Sequence, residues 1–217
     1  MPEWSLRIGR FLAHRLWDTE VTGADRVPTT GPVILAANHT GLVDGPLVIG
    51  VAPRPVHMLV KEAAFVGPVG TVLHASGHIP VDGDGGRPAL AAAMAVLRRG
   101  DVVGIFPEGR RGRGDAAGVE AGVAWLAVNG GAPVVPVAVL GTRRTGEGVG
   151  HIPGPRRRLV VEFGEPLHVE RRAGTSGREA VRHANEAIRL ALSALVTAAS
   201  ARSGLALPTD GPARTSA

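Results

Sequence analysis

The segment Val33-Ile34-Leu35-Ala36-Ala37-Asn38-His39-Thr40-Gly41-Leu42-Val43-Asp44-Gly45 starts as a short apolar run and ends in a polar turn. Val33–Ala37 reads as a strand, and the turn through Thr40 and Gly41 leads into a helix whose first turn carries Asp44. Outward from it the alternation repeats. Val56–Val60, His78–Val81, Val102–Phe106, Val134–Leu140 and Leu159–Phe163 read as further strands, with helical patterns over roughly 87–99 and 118–129 and a last helix from Glu179 to about Ala201. Short β-branched runs alternating with helices predict a single α/β domain, a mixed and mostly parallel sheet flanked by helices.

Two ends frame this domain. Residues 3–17 place Trp4, Ile8, Phe11, Leu12 and Leu16 at helical spacing, with Arg7, Arg10, His14 and Arg15 mostly on other faces. This basic amphipathic helix, residues 1–17, fits a membrane interface, where Trp and Phe settle at headgroup level, and equally fits packing on the core. The central domain is expected over 18–203. The Pro/Thr/Gly/Ser-rich end places 204–217 in a disordered tail.

Composition narrows the function. The 217 residues contain no Cys, which excludes a disulfide framework, a thiolate metal site and a cysteine nucleophile. A formal charge of +5, carried by 24 basic residues of which only Lys61 is not Arg, favours anionic partners without choosing among them. With 3% aromatics and no Tyr, base stacking is poorly served, so nucleic acid is not expected. No apolar run approaches the roughly 20 residues of a membrane span, and the first residues lack a signal-peptide pattern. The expectation is a cytoplasmic protein, soluble or peripheral.

Ligands in α/β sheets gather beyond the carboxyl ends of the strands, which directs attention to two loops. In the first, His39 and Asp44 would lie about 140° apart on a regular helix and on opposite faces of a strand. A strand-to-helix turn can bring them together, so that Asp44 accepts the imidazole N–H and His39 serves as a general base. A His and an Asp that merely cap a helix fit the spacing as well. In the second, Phe106-Pro107-Glu108-Gly109-Arg110-Arg111-Gly112-Arg113-Gly114-Asp115 interleaves Arg with Gly, a composition suited to close approach of an anion to guanidinium groups and backbone amides.

These segments together resemble the ordered motifs of the glycerolipid acyltransferases, the 1-acylglycerol-3-phosphate (lysophosphatidate) acyltransferases. His39-Thr40-Gly41-Leu42-Val43-Asp44 resembles the family's H-x-x-x-x-D, and Phe106-Pro107-Glu108-Gly109-Arg110-Arg111 resembles F-P-E-G-T-R with Arg110 in place of Thr. Val134-Val135-Pro136-Val137-Ala138 resembles the last block, and Lys61 falls where the family supplies a basic residue. The family's Asp-Arg strand end appears as Val81-Asp82-Gly83, so its Arg is absent and Arg87 is the nearest substitute.

The resemblance implies acyl transfer from acyl-CoA or acyl carrier protein, as co-substrate, to a lysophospholipid hydroxyl at a membrane surface, with no cofactor and no metal. It implies that His39 takes the hydroxyl proton with Asp44 orienting the ring, that Lys61 and Arg111 hold the acceptor phosphate, and that Glu108 and Gly109 shape that site. Arg110 and Arg87 are further candidate contacts. Among weaker signals, Asp82-Gly83-Asp84-Gly85 reads as a turn rather than a calcium loop, and the His74–His78 spacing as chance rather than a zinc helix.

Overall fold

The computed structural model describes residues 3–82, 86–171 and 174–211, with side chains from Leu6 onward. In chain order it forms α1 (Glu3–Phe11), a π-helical turn (Leu12–Leu16), β1 (Asp18–Thr22), β2 (Val33–Ala37), α2 (Asp44–Val51), β3 (Val56–Lys61), α3 (Gly67–Ala75) and β4 (Ile79–Val81). Then follow α4 (Arg87–Arg98), β5 (Val102–Ile105), α5 (Ala121–Gly130), β6 (Val134–Leu140), β7 (Arg158–Phe163) and α6 (Gly177–Ser203).

The strands make one seven-stranded sheet in the order β1-β7-β6-β2-β5-β3-β4. Of the strand pairs among the described residues, only β6–β7 is antiparallel. β2 lies at the centre because all five of its residues are apolar and buried, the signature of a strand covered on both faces. Its side chains alternate between two cores. Val33, Leu35 and Ala37 join α2, Ala13 and Trp17 on one face, whereas Ile34 and Ala36 meet α4, α5 and α6 on the other.

Several elements differ from the sequence reading. β1, Asp-Thr-Glu-Val-Thr, was not expected as a strand; its residues alternate between exposed and half-buried, and it forms by parallel pairing of Asp18–Thr22 with Arg158–Glu162. α3 is also additional, a short helix with Pro68 in its first turn, where the missing N–H is harmless. The apolar stripe of the first helix divides its faces. Leu12, Ala13, Leu16 and Trp17 pack on the core, while Ile8 and Phe11 are exposed; the side chain of Trp4 is outside the described residues. α1 reaches α2 through glycine against glycine: a Cβ on Gly50 would meet the backbone of Gly9.

Residues 204–211 do not form the expected tail. Leu205 and Leu207 pack on a cluster containing Leu140, Leu192 and Val196, and the Asp210 backbone oxygen accepts from the buried Arg143 guanidinium at 2.7 Å. The composition of this end concealed two anchoring leucines and one partnered carboxylate. Residues 212–217, and 83–85 of the expected Asp82–Gly85 turn, are outside the described residues. Among the described residues, no helix is long and apolar enough to cross a membrane.

Candidate active site

Parallel pairing of β2 with β6, Ala37 opposite Val137, and with β5, Ala36 opposite Ile105, gathers the carboxyl ends of three strands. The first loop leaves β2 at Asn38. Its buried amide locks onto β6, accepting from Val139 N–H at 2.7 Å and donating to the Val139 carbonyl at 3.1 Å. His39 follows at the edge of solvent, its side chain 14% exposed, and Asp44 lies below it at 0%.

The turn through Thr40 and Gly41 does what neither a helix nor a strand can do. It places His39 Nδ1 2.9 Å from Asp44 Oδ2. The same oxygen accepts the backbone N–H groups of Thr40 at 2.7 Å and Gly41 at 2.9 Å, and Asp44 Oδ1 accepts the Thr142 hydroxyl at 2.5 Å. These bonds, with its position in the first turn of α2, satisfy a carboxylate removed from water. Because the carboxylate accepts, Nδ1 carries the hydrogen and Nε2 is left with a lone pair. That arrangement suits a general base.

The second loop supports the first. The phenyl ring of Phe106 stacks on His39, Glu108 Oε1 accepts His39 N–H at 3.1 Å, and Gly112 N–H donates to the His39 carbonyl at 2.9 Å. Burial pushes the Glu108 carboxyl up to about 7 against the backbone N–H bonds from His39 and Ala116, which oppose the rise, with Asp115 and Asp44 adding to it. Gly114 has φ +69°, and a Cβ there would lie 2.4 Å from Thr40 Cγ2 and 2.8 Å from Asn38 Nδ2. The glycine therefore permits contact between the two loops, a role distinct from the anion approach that the composition suggested.

Lys61, Glu108, Gly109 and Arg110 line one cavity of about 500 Å³, together with Gly118, Val119 and Glu120. The structure thus brings together four of the six candidate binding residues. Arg111 is not among the lining residues, although its Nε is buried without a hydrogen-bond partner. Arg87 is exposed at the start of α4 and does not line the cavity either. Among the described residues, no group of three or more His, Asp or Glu side chains is placed to hold a metal ion. His78, read at first as one half of a chance His pair, is buried and accepts Met58 N–H through Nδ1 at 3.2 Å.

Sequence reasoning missed Thr142 and Arg143, which follow β6 and close the site from behind. Arg143 has a side chain only 1% exposed and donates to the carbonyls of Gly112, Glu147 and Asp210 and to Asp210 Oδ1. It ties the Arg-Gly loop to the C-terminal segment. The only sequence cue to either residue is its place just beyond a buried strand, where site residues collect.

Residues 18–140 match the protein-family model described as Acyltransferase. The 1-acyl-sn-glycerol-3-phosphate acyltransferase of Bacillus subtilis (strain 168) is 30% identical over 152 residues, 69% of this chain and 73% of that protein. The protein of the same description from Borreliella burgdorferi is 35% identical over 127 residues, 56% of this chain and 51% of its own length. The crystal structure of the 1-acyl-sn-glycerophosphate (LPA) acyltransferase from Thermotoga maritima superposes with a TM-score of 0.67 at 23% identity, covering 89% of this chain and 78% of that one. At that identity the likeness is one of fold, and it extends to the α/β sheet with its flanking helices.

Proposed function

The chain belongs to the acyltransferase family, and from that membership we propose that it moves a fatty acyl group from acyl-CoA or acyl carrier protein to the free hydroxyl of 1-acylglycerol-3-phosphate, giving phosphatidate. The observation that carries this reading is the His39–Asp44 pair, with its carboxylate fully satisfied and its Nε2 lone pair uncommitted.

His39 Nε2 takes the proton of the acceptor hydroxyl as that oxygen attacks the thioester carbonyl. Asp44 holds the tautomer and stabilises the imidazolium that forms. The tetrahedral intermediate then collapses, the C–S bond breaks, and the imidazolium returns its proton to the departing thiolate. No acyl-enzyme is required, since the thiol is already a good leaving group.

Lys61 and Arg110, on the wall of the cavity of about 500 Å³, are the groups for the acceptor phosphate, with the unpaired Nε of Arg111 next to Arg110 in the same loop. Glu108 and Gly109 shape the same wall. Ile8 and Phe11, exposed beside the exposed Arg7 and Arg10, suit attachment to the cytoplasmic face of an anionic membrane.

A panel of lysophospholipids offered with a long-chain acyl-CoA, and then with acyl carrier protein, tests the acceptor. Phosphatidate formed from lysophosphatidate well ahead of any diester-headgroup product is the expected result. Preference for a phosphodiester acceptor or for one without phosphate overturns the acceptor assignment.

A further inference from the structure

We propose that Thr142 is a positioning residue of this site: its hydroxyl holds Oδ1 of Asp44, the oxygen not bonded to His39, and thereby sets how strongly His39 binds a proton. The inference rests on the His–Asp reading above and adds to it a residue 98 positions from Asp44.

Asp44 Oδ2 already faces three N–H donors, from His39, Thr40 and Gly41, so the group is an acceptor. Thr142 Oγ1 has one hydrogen, and at 2.5 Å from Asp44 Oδ1 that hydrogen is committed to the carboxylate. The contact of 2.9 Å between Thr40 Oγ1 and Thr142 Oγ1 therefore has a fixed polarity, with Thr40 donating and Thr142 accepting. Thr40, Thr142 and Asp44 are all buried, at 2%, 0% and 0% exposure, and no competing solvent relaxes the chain. Glu108, in the loop after β5, faces His39 by accepting its backbone N–H and is unchanged in every variant compared, so it cannot produce a difference among them.

The fold explains why a residue so distant in sequence arrives here. Pairing of Ala37 with Val137 runs β2 and β6 in register to their carboxyl ends. Asn38 then fixes that register through both of its bonds to Val139. Thr40 and Thr142 leave the sheet side by side.

The two threonines are consequently unequal. Replacing Thr142 takes a donor from the carboxylate, which then attracts the imidazole proton more strongly and raises the pH at which His39 titrates. Replacing Thr40 removes only the donor to Thr142 and leaves the bond to Asp44 intact.

The test compares Thr142→Val, Thr142→Ser and Thr40→Val by NMR titration of the His39 ring in the substrate-free protein and by the acidic limb of kcat against pH. Thr142→Val is expected to raise both midpoints by about one pH unit and to lower kcat about tenfold with KM within about twofold. Thr142→Ser is expected to restore both, and Thr40→Val to leave the midpoints in place. Should valine not fold, Thr142→Ala serves in its stead, adding no bulk beside Thr40.

An unmoved midpoint in Thr142→Val, an equal shift in Thr40→Val, or failure of serine to restore the midpoint overturns the proposal. If the parent protein transfers no acyl group to any lysophospholipid, the function proposed above fails, and the ring titration still decides the role of Thr142.

Discussion

The imidazole of His39 lies flat on the phenyl ring of Phe106, with centroids 3.9 Å apart and planes inclined by 12°. Asp44 holds one edge of the imidazole and Phe106 covers one face, while Glu108 and Gly112 hold the backbone of the same residue. The two loops are thus one mechanical unit. An aromatic face also favours the charged imidazolium that forms during proton transfer.

Phe106→Ala removes that support without touching the Asp44 bond. Loss of the stack is expected to reduce kcat about tenfold and stability by ~1–2 kcal/mol, since ring pairs contribute on that scale and a small misplacement of a base is costly. Steady-state kinetics and urea unfolding measure the two effects. Unchanged kcat would show that Asp44 and the backbone bonds position the ring unaided.

Gly114→Ala should be as harmful as a change in the dyad's own loop. The residue has φ +69°, and its Cβ would meet Thr40 Cγ2 and the Asn38 amide, both on the turn that builds the dyad. The expected loss of stability is ~1–3 kcal/mol, accompanied by a fall in kcat. Gly118→Ala, with nothing within 4 Å of its added Cβ, is the control in the same loop by thermal melting.

Two groups shielded from water, the buried His78 and the half-buried Glu108, make opposite demands on pH. Burial, reinforced by His57, lowers His78 from 6.5 to about 4, and protonation of its Nδ1 would also cost the bond from Met58 N–H. Between pH 6.5 and about 4 the unfolded chain binds this proton and the native state does not, so stability falls with acid. Glu108, raised from 4.5 to about 7, acts the other way: the native carboxyl keeps its proton where the unfolded one has lost it, and stability falls as pH rises through that window. Each effect is at most roughly 3 kcal/mol. Glu108→Gln removes the opposing contribution and should therefore lose stability more steeply than the parent protein as pH falls from 6.5 to 4.5. Denaturant melts of the two proteins across that range decide the matter, and parallel profiles would contradict it.

Asp210→Ala withdraws a carboxylate from the buried Arg143 guanidinium, which keeps its bonds to the Gly112 and Glu147 carbonyls. Loss of one partner of a buried charge, itself 40% exposed, is expected to cost about 1–2 kcal/mol. The change should register as a lower Tm. An unaltered Tm would mean that the carboxylate adds nothing to the backbone bond from Arg143 and the packing of Leu205 and Leu207.

Much of this arrangement is legible in the sequence, because β2 and the turn after it use patterns that local chemistry dictates. Val33–Ala37 is apolar throughout because both faces are covered, and the His39–Asp44 spacing, which helix capping fits as well, becomes a pair across the strand-to-helix turn. β1 is different. Asp18–Thr22 has no core-facing run, and its strand character comes from the pairing with β7. Thr142 is hidden for a related reason, since its partner Asp44 is 98 residues away and only the β2–β6 register brings them together. The C-terminal segment was masked by its composition, which says nothing of where Leu205, Leu207 and Asp210 find partners.

The proposed reaction is tested most directly by thiol release from a long-chain acyl-CoA in the presence of lysophosphatidate, measured for the parent protein and for His39→Ala with its fold verified by circular dichroism. Acceptor-dependent release with phosphatidate as product is expected, reduced about 10²–10⁴-fold in His39→Ala, the range for loss of a general base. A folded His39→Ala protein that turns over within a few-fold of the parent would contradict it.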